Sequence, residues 1–250
     1  MFVEKDKKNR FWEIDALRGI AILMMIIYHV LFDLNYFGFT TTDLYSFPVL
    51  VFLYPVGTLF LLLVGISLTL SYNRVKNTLT KNQLRFKYLR RGSIIFGLGL
   101  LITAVTWVYP HDGFIVFGVL HCIGLSIILA YPFIQLHLSA FLGGLLCISI
   151  GVVLQLMVNV NFPWLLWLGF IPTRFYTLDY FPLLPWFGVV LIGIFLGNTL
   201  YQNNVRTLKI KDHAGFIGTR VLCFLGRHSL IIYLLHQLII VGILYLLFGG

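Results

Sequence analysis

Residues 13–37 read EIDALRGIAILMMIIYHVLFDLNYF, and Asp15, Arg18, His29 and Asp33 stand inside this otherwise apolar run. A helix needs about 20 mainly apolar residues to cross a bilayer, and this stretch supplies them. Ionisable groups at membrane depth are expensive, so they face the bundle interior or a polar cavity and mark function. Helical spacing agrees: at about 100° per residue Arg18 and His29 fall within about 20° of one another, and His29 to Asp33 is one i,i+4 step. A single stripe therefore carries Asp15, Arg18, Ile22, His29 and Asp33. Eleven residues at about 1.5 Å each place His29 about 16 Å along the helix from Arg18, with Asp33 about 6 Å further on. The guanidinium fork suits phosphate oxygens and never deprotonates. The imidazole suits proton transfer, and the nearby carboxylate suits orienting it and stabilising its charged form.

Outward from this segment the chain repeats the same solvent preference. Six further apolar runs, at roughly 48–72, 92–109, 116–134, 139–158, 183–200 and 228–248, make seven predicted spans with 14–37. The 250 residues are 59% hydrophobic and 11% charged, with a mean hydropathy of +0.93. Soluble domains carry about 25% charged residues, so the apolar surplus here faces lipid. The first run is too long for a secretory signal and lacks a small-residue cleavage site. The expected fold is all-α: one polytopic bundle of seven transmembrane helices over 1–250, read as a single transmembrane domain in the cell membrane.

The net charge of +9 does not point to nucleic acid, because the basic residues are segregated by loop. Lys5, Lys7, Lys8 and Arg10 precede span 1, Arg74, Lys76, Lys81, Arg85, Lys87, Arg90 and Arg91 follow span 2, and Arg206, Lys209, Lys211, Arg220 and Arg227 follow span 6. These are 16 of the 18 basic residues, and seven crossings place them all on one side. The positive-inside rule makes that side cytoplasmic, with the N-terminus inside and the C-terminus outside. The stretch 159–182, with Pro163, Trp164, Trp167, Pro172 and Pro182, reads as an irregular outer loop. Cys122, Cys147 and Cys223 sit apart in apolar runs, so neither a disulfide framework nor a structural metal is expected. No P-loop, HExxH or GxSxG motif occurs, and span 7 holds no lysine for retinal. Gly143-Gly144 and Gly193-x3-Gly197 read as close helix crossings.

Two more histidines reach membrane depth: His121 in span 4 and His236 in span 7. Either suits polarising a carbonyl or relaying a proton with His29, and either suits a helix–helix hydrogen bond. Ser229 and Tyr233 share the His236 face by spacing. Arg90, Arg91 and Arg227 adjoin the cytoplasmic ends of spans 3 and 7, where they join Arg18 as candidates for a polyanionic ligand. Asp43, His111, Asp112, Arg174, Tyr176 and Asp179 lie in outer loops and suit either a sugar or lipid headgroups.

Arg18-x10-His29 within IDALRGIAILMMIIYH resembles the signature that opens the first helix of integral-membrane acyltransferases that O-acylate surface glycans. GVLHCIGLSIILAYPF at 118–133, FPLLPWFGVVLIGIFLG at 181–197 and LGRHSLIIYLLHQ at 225–237 resemble the prokaryotic relatives of the heparan-α-glucosaminide N-acetyltransferase catalytic-domain family. The resemblance implies an acetyltransferase that takes acetyl-CoA as co-substrate from the cytoplasm and passes the acetyl group to an extracytoplasmic acceptor, a sugar amine or hydroxyl. It implies that Arg18 serves the donor and His29 the transfer; position in the predicted spans adds Arg90, Arg91 and Arg227 as donor-binding candidates and Asp33, His236 and His121 as catalytic candidates. The lysosomal enzyme of that family carries its acetyl-accepting histidine in the outer loop after the first span. Loop 38–47 has none here, so a general-base role for His29 fits the helix position better. The competing reading is a small proton-coupled transporter, since buried His and Asp also form proton relays. An odd number of spans without an internal repeat argues against it. A structural membrane protein leaves the Arg-x10-His stripe without a reason.

Overall fold

The computed structural model describes residues 10–44, 46–158, 160–202 and 205–248; Lys5, Lys7 and Lys8 lie outside the described residues. The helices are α1 (Trp12–Tyr36), α2 (Phe47–Val75), α3 (Lys81–Val108), α4 (Val119–Leu129), α5 (His137–Met157), α6 (Leu183–Leu200), α7 (Ile217–Arg227) and α8 (Ser229–Phe248). A two-stranded antiparallel hairpin of β1 (Tyr201–Gln202) and β2 (Val205–Arg206) follows α6. Among the described residues, six helices are long and apolar enough to cross a membrane: α1, α2, α3, α5, α6 and α8. The chain is a multi-pass all-α membrane protein.

Three differences from the sequence reading have local causes. Helix α3 begins at Lys81 rather than near 92, because Thr80 caps it: Gln83 N–H donates to Thr80 Oγ1 (3.4 Å) and Thr80 N–H to Gln83 Oε1 (2.9 Å). Its first turns are polar and escape a search for apolar runs. The expected span 116–134 holds only the 11-residue α4, followed by a 3-10 turn at Tyr131–Phe133. Pro132 supplies no N–H and disfavours helix at the residue before it. Helix α7 falls inside a segment read as a basic loop.

The chain divides into two compact units, Met1–Phe60 with Ile210–Gly250, and Leu61–Lys209. In the first, α1 packs against α7 and α8. Glycines permit the approach. A Cβ on Gly19 would overlap the Leu222 carbonyl, and one on Gly226 would overlap the Asp15 carbonyl oxygen. A small apolar core forms where Ile22 and Met25 of α1 meet Val56, with Phe60, Ile232 and Tyr233 packed around them. Helices α1 and α8 run in the same direction, since Asp15 meets Arg227, His29 meets His236, and Asp33 meets Gln237.

In the second unit, α3 packs on α4 and α5 on α6. Gly92 faces the Gly124 carbonyl across the first pair, and Gly144 and Gly188 face each other across the second. Gly193 approaches the Leu62 carbonyl and Gly197 approaches Thr69, so the Gly193-x3-Gly197 pair lies on α2. The stretch 159–182 is irregular, as expected, with a 3-10 turn at Leu166–Leu168.

Candidate functional site

Helix α1 carries its ionisable residues in two places. Near its start, the buried Asp15 accepts from Arg18 Nη1 (3.3 Å) and from Arg227 Nε (3.2 Å) at the end of α7. One carboxylate thus holds two guanidiniums together and offsets part of its own desolvation. Gly226 lets this happen, because its lack of a side chain brings the end of α7 onto the Asp15 backbone. The Arg227 side chain is 45% exposed, so its guanidinium also faces outward. Arg18 and Arg227 present guanidinium donors here, and such donors match phosphate oxygens.

Further along α1, His29 and His236 face each other with ring centroids 4.6 Å apart and planes at 85°. Each ring is fixed by a backbone carbonyl of its own helix. His29 Nδ1 donates to Met25 O (2.9 Å) and His236 Nδ1 donates to Tyr233 O (2.6 Å). In a neutral imidazole the other nitrogen is then an acceptor, so both Nε2 atoms carry lone pairs. His236 Nε2 is buried and has no hydrogen-bond partner. Two bases of this kind cannot satisfy one another without a proton or a donor between them.

One turn beyond His29, Asp33 is 2% exposed, and both of its oxygens accept from Gln237 Nε2, at 2.8 and 3.0 Å. The expected partnership of Asp33 with His29 is replaced by this cross-helix bond. Each imidazole takes its orientation from a carbonyl instead. Gln237 Oε1 is also buried without a partner. The sequence reading missed Gln237, although it stands four residues after Tyr233 and beside His236 in LGRHSLIIYLLHQ.

The remaining expected residues lie in the second unit. Arg90 and Arg91 are exposed on the polar first half of α3. His121 is buried between Phe96 and Phe117, with ring centroids at 5.2 and 5.4 Å. Its Nδ1 accepts from the Gly118 N–H (3.2 Å), and its Nε2 lies 3.4 Å from Thr103 Oγ1, which donates to Ile115 O (2.6 Å). Both ring nitrogens are engaged there. Asp179 caps the start of the same helix by accepting from Val119 N–H (3.0 Å). Burial pushes its carboxyl up to about 6, against the lowering effect of that hydrogen bond. Among the described residues no three His, Cys, Asp or Glu side chains gather as a metal site.

Compared with protein families, the chain matches over residues 10–238 the family model described as heparan-alpha-glucosaminide N-acetyltransferase, catalytic. No curated protein and no solved structure matches the chain.

Proposed function

The chain belongs to the heparan-alpha-glucosaminide N-acetyltransferase catalytic-domain family, and from that premise we propose that this membrane acetyltransferase moves an acetyl group from cytoplasmic acetyl-CoA to an extracytoplasmic sugar amine or hydroxyl. The observation that carries this reading is the His29–His236 pair, whose Nδ1 atoms are spent on backbone carbonyls and whose Nε2 atoms are left as acceptors. An amine or hydroxyl brings the missing donor.

In this proposal the residues 1–250 act as one acyltransferase domain. Arg18 and Arg227, clamped by Asp15, hold donor phosphates, and Arg90 and Arg91 add positive charge at the cytoplasmic end of α3. The rise from Arg18 to His29, about 16 Å, is comparable with an extended pantetheine arm, so a thioester reaches His29 while the nucleotide stays at the membrane edge. His29 Nε2 takes the proton of the attacking amine or hydroxyl as the new bond to the acetyl carbon forms, and returns it to the departing thiolate. His236 faces His29 across the reacting space and steadies the charged ring by accepting or sharing that proton. Asp33, through Gln237, keeps α1 and α8 in register so that the two rings meet. His121 has its nitrogens committed to Gly118 and Thr103 and fixes the start of α4.

Binding tests the donor half of the proposal. Acetyl-CoA is expected to raise the Tm of the purified wild-type protein in detergent and to raise that of Arg18→Ala much less, with an unrelated nucleotide as control. Equal stabilisation of both proteins contradicts the assignment of Arg18.

A further inference from the structure

Helix α7 has two apolar faces, and only one of them is packed. Cys223 and Gly226 are buried against α1, where Cys223 Sγ lies 3.3 Å from the Trp12 carbonyl oxygen. On the other side Ile217, Val221 and Phe224 follow i, i+4, i+7 spacing and form one exposed stripe, with Ile217 75% and Phe224 59% exposed. Phe216, just before the helix, is exposed as well. A shallow groove of about 550 Å³ on this side is lined by Trp12, Ile217, Val221, Phe224, Arg220 and Arg227 among others. Lys211 is exposed in the segment that leads in, where the neighbouring Asp212 carboxylate accepts from the Ala214 N–H (2.9 Å).

The position of α7 decides what covers that stripe. Eleven residues rise about 16 Å, well short of the about 30 Å hydrocarbon core. The helix ends at Arg227, and α8, a membrane-crossing candidate, begins at Ser229. The end of α7 is thereby tied to the membrane boundary. An amphipathic helix at that depth buries its apolar side among acyl chains and keeps its cations at the headgroups. Arg220, about 60° around the helix from Ile217, lies at the edge of the stripe, where a headgroup phosphate sits.

We propose that the groove along α7 seats an anionic phospholipid, its acyl chain against Ile217, Val221 and Phe224 and its phosphate on Arg220 with Lys211. The groove adjoins the donor clamp, since Arg227 lines it and also meets Asp15, and Arg220 stands seven residues before Arg227 on the same side of α7. A lipid there holds α7 against α1, so membrane composition reaches the Arg18–Asp15–Arg227 cluster through Gly226. The inference stands on this unit alone and does not rest on the acetyltransferase reading.

The test uses the full chain in nanodiscs containing phosphatidylglycerol and phosphatidylcholine in equal amounts. A photoreactive benzoylphenylalanine replaces Phe224, and adducts are identified by mass spectrometry. The expected result is a lipid adduct at 224, enriched several-fold in phosphatidylglycerol, with the enrichment lost in a Lys211→Gln/Arg220→Gln background and unchanged by saturating acetyl-CoA. No lipid adduct, an adduct to polypeptide, or equal capture of the two lipids overturns the proposal. Displacement of the lipid by acetyl-CoA also overturns it, because the groove then belongs to the donor. As a second measurement, the Tm of the unlabelled protein is higher in phosphatidylglycerol than in phosphatidylcholine nanodiscs, and the double variant loses most of that gap while matching wild type in phosphatidylcholine. A double variant that keeps the full gap contradicts the site.

Discussion

At the scale of single residues, the chemistry turns on which imidazole nitrogen is free. Met25 and Tyr233 fix His29 and His236 through Nδ1, so substitution at His29 removes a lone pair rather than a structural bond between helices. His29→Ala is therefore expected to lower acetyl transfer by about 100-fold or more while leaving acetyl-CoA-dependent stabilisation intact, a split that parallel turnover and thermal-shift measurements read. Gln237 has the opposite profile. It is the cross-helix donor to both Asp33 oxygens, so Gln237→Leu leaves a buried acceptor unsatisfied and is expected to destabilise the protein by about 1–3 kcal/mol, as seen by denaturant or thermal unfolding in detergent. The stripe of Asp15, Arg18, His29 and Asp33 was legible in the sequence because helical spacing alone aligns them. Their partners were not, because spacing within one helix says nothing about which residue of α8 stands opposite. Asp33 is the instructive case: the i,i+4 rule offers it His29, yet the carboxylate bonds Gln237, two hundred residues away along the chain.

At the scale of elements, backbone approach is the controlling feature. A methyl group at Gly226 meets the Asp15 carbonyl with no flexible side chain to yield. Gly226→Ala is expected to destabilise by about 1–3 kcal/mol or more and to weaken acetyl-CoA binding with it, because the same contact places Arg227 on Asp15. Gly97→Ala is the contrast, since nothing lies within 4 Å of that position; removing an unneeded helix glycine is expected to leave stability unchanged or raise it by up to about 1 kcal/mol. Long apolar helices were legible from their composition. For α4 the apolar run extends past the helix, because hydropathy does not register that Tyr131-Pro132 ends it. Arg220 and Arg227 give the α7 segment the charge of a basic loop, although the spacing of Ile217, Val221 and Phe224 carries a helical stripe. Position-by-position periodicity within a charged segment is the signal that recovers such a helix.

At the scale of the whole molecule, direction and pH response follow from few groups. The clustering of 16 of 18 basic residues in three regions is the ground for proposing a cytoplasmic N-terminus by the positive-inside rule, and the parallel course of α1 and α8 puts the proposed C-terminus on the other side. Reporter fusions are expected to read the two ends on opposite sides, and reading them on the same side contradicts the parallel course of α1 and α8. Asp179 sets a pH trend. Its folded pKa is raised to about 6 by burial, above the unfolded value of about 3.9, so the folded protein binds the proton more tightly. Its contribution to stability is full below about pH 4 and is lost as pH rises through about 6; Asp179→Asn is expected to flatten the Tm profile across that window. The architecture of a polytopic membrane protein was visible in composition, whereas the division into two compact units was not, because no linker or change in composition marks residues 60 and 210. The central claim, that His29 is the base for acetyl transfer from acetyl-CoA, is tested most directly by the release of coenzyme A thiol in proteoliposomes given acetyl-CoA and glucosamine. Wild-type protein is predicted to release thiol in an acceptor-dependent way and His29→Ala to release none above background; equal release by both contradicts the account.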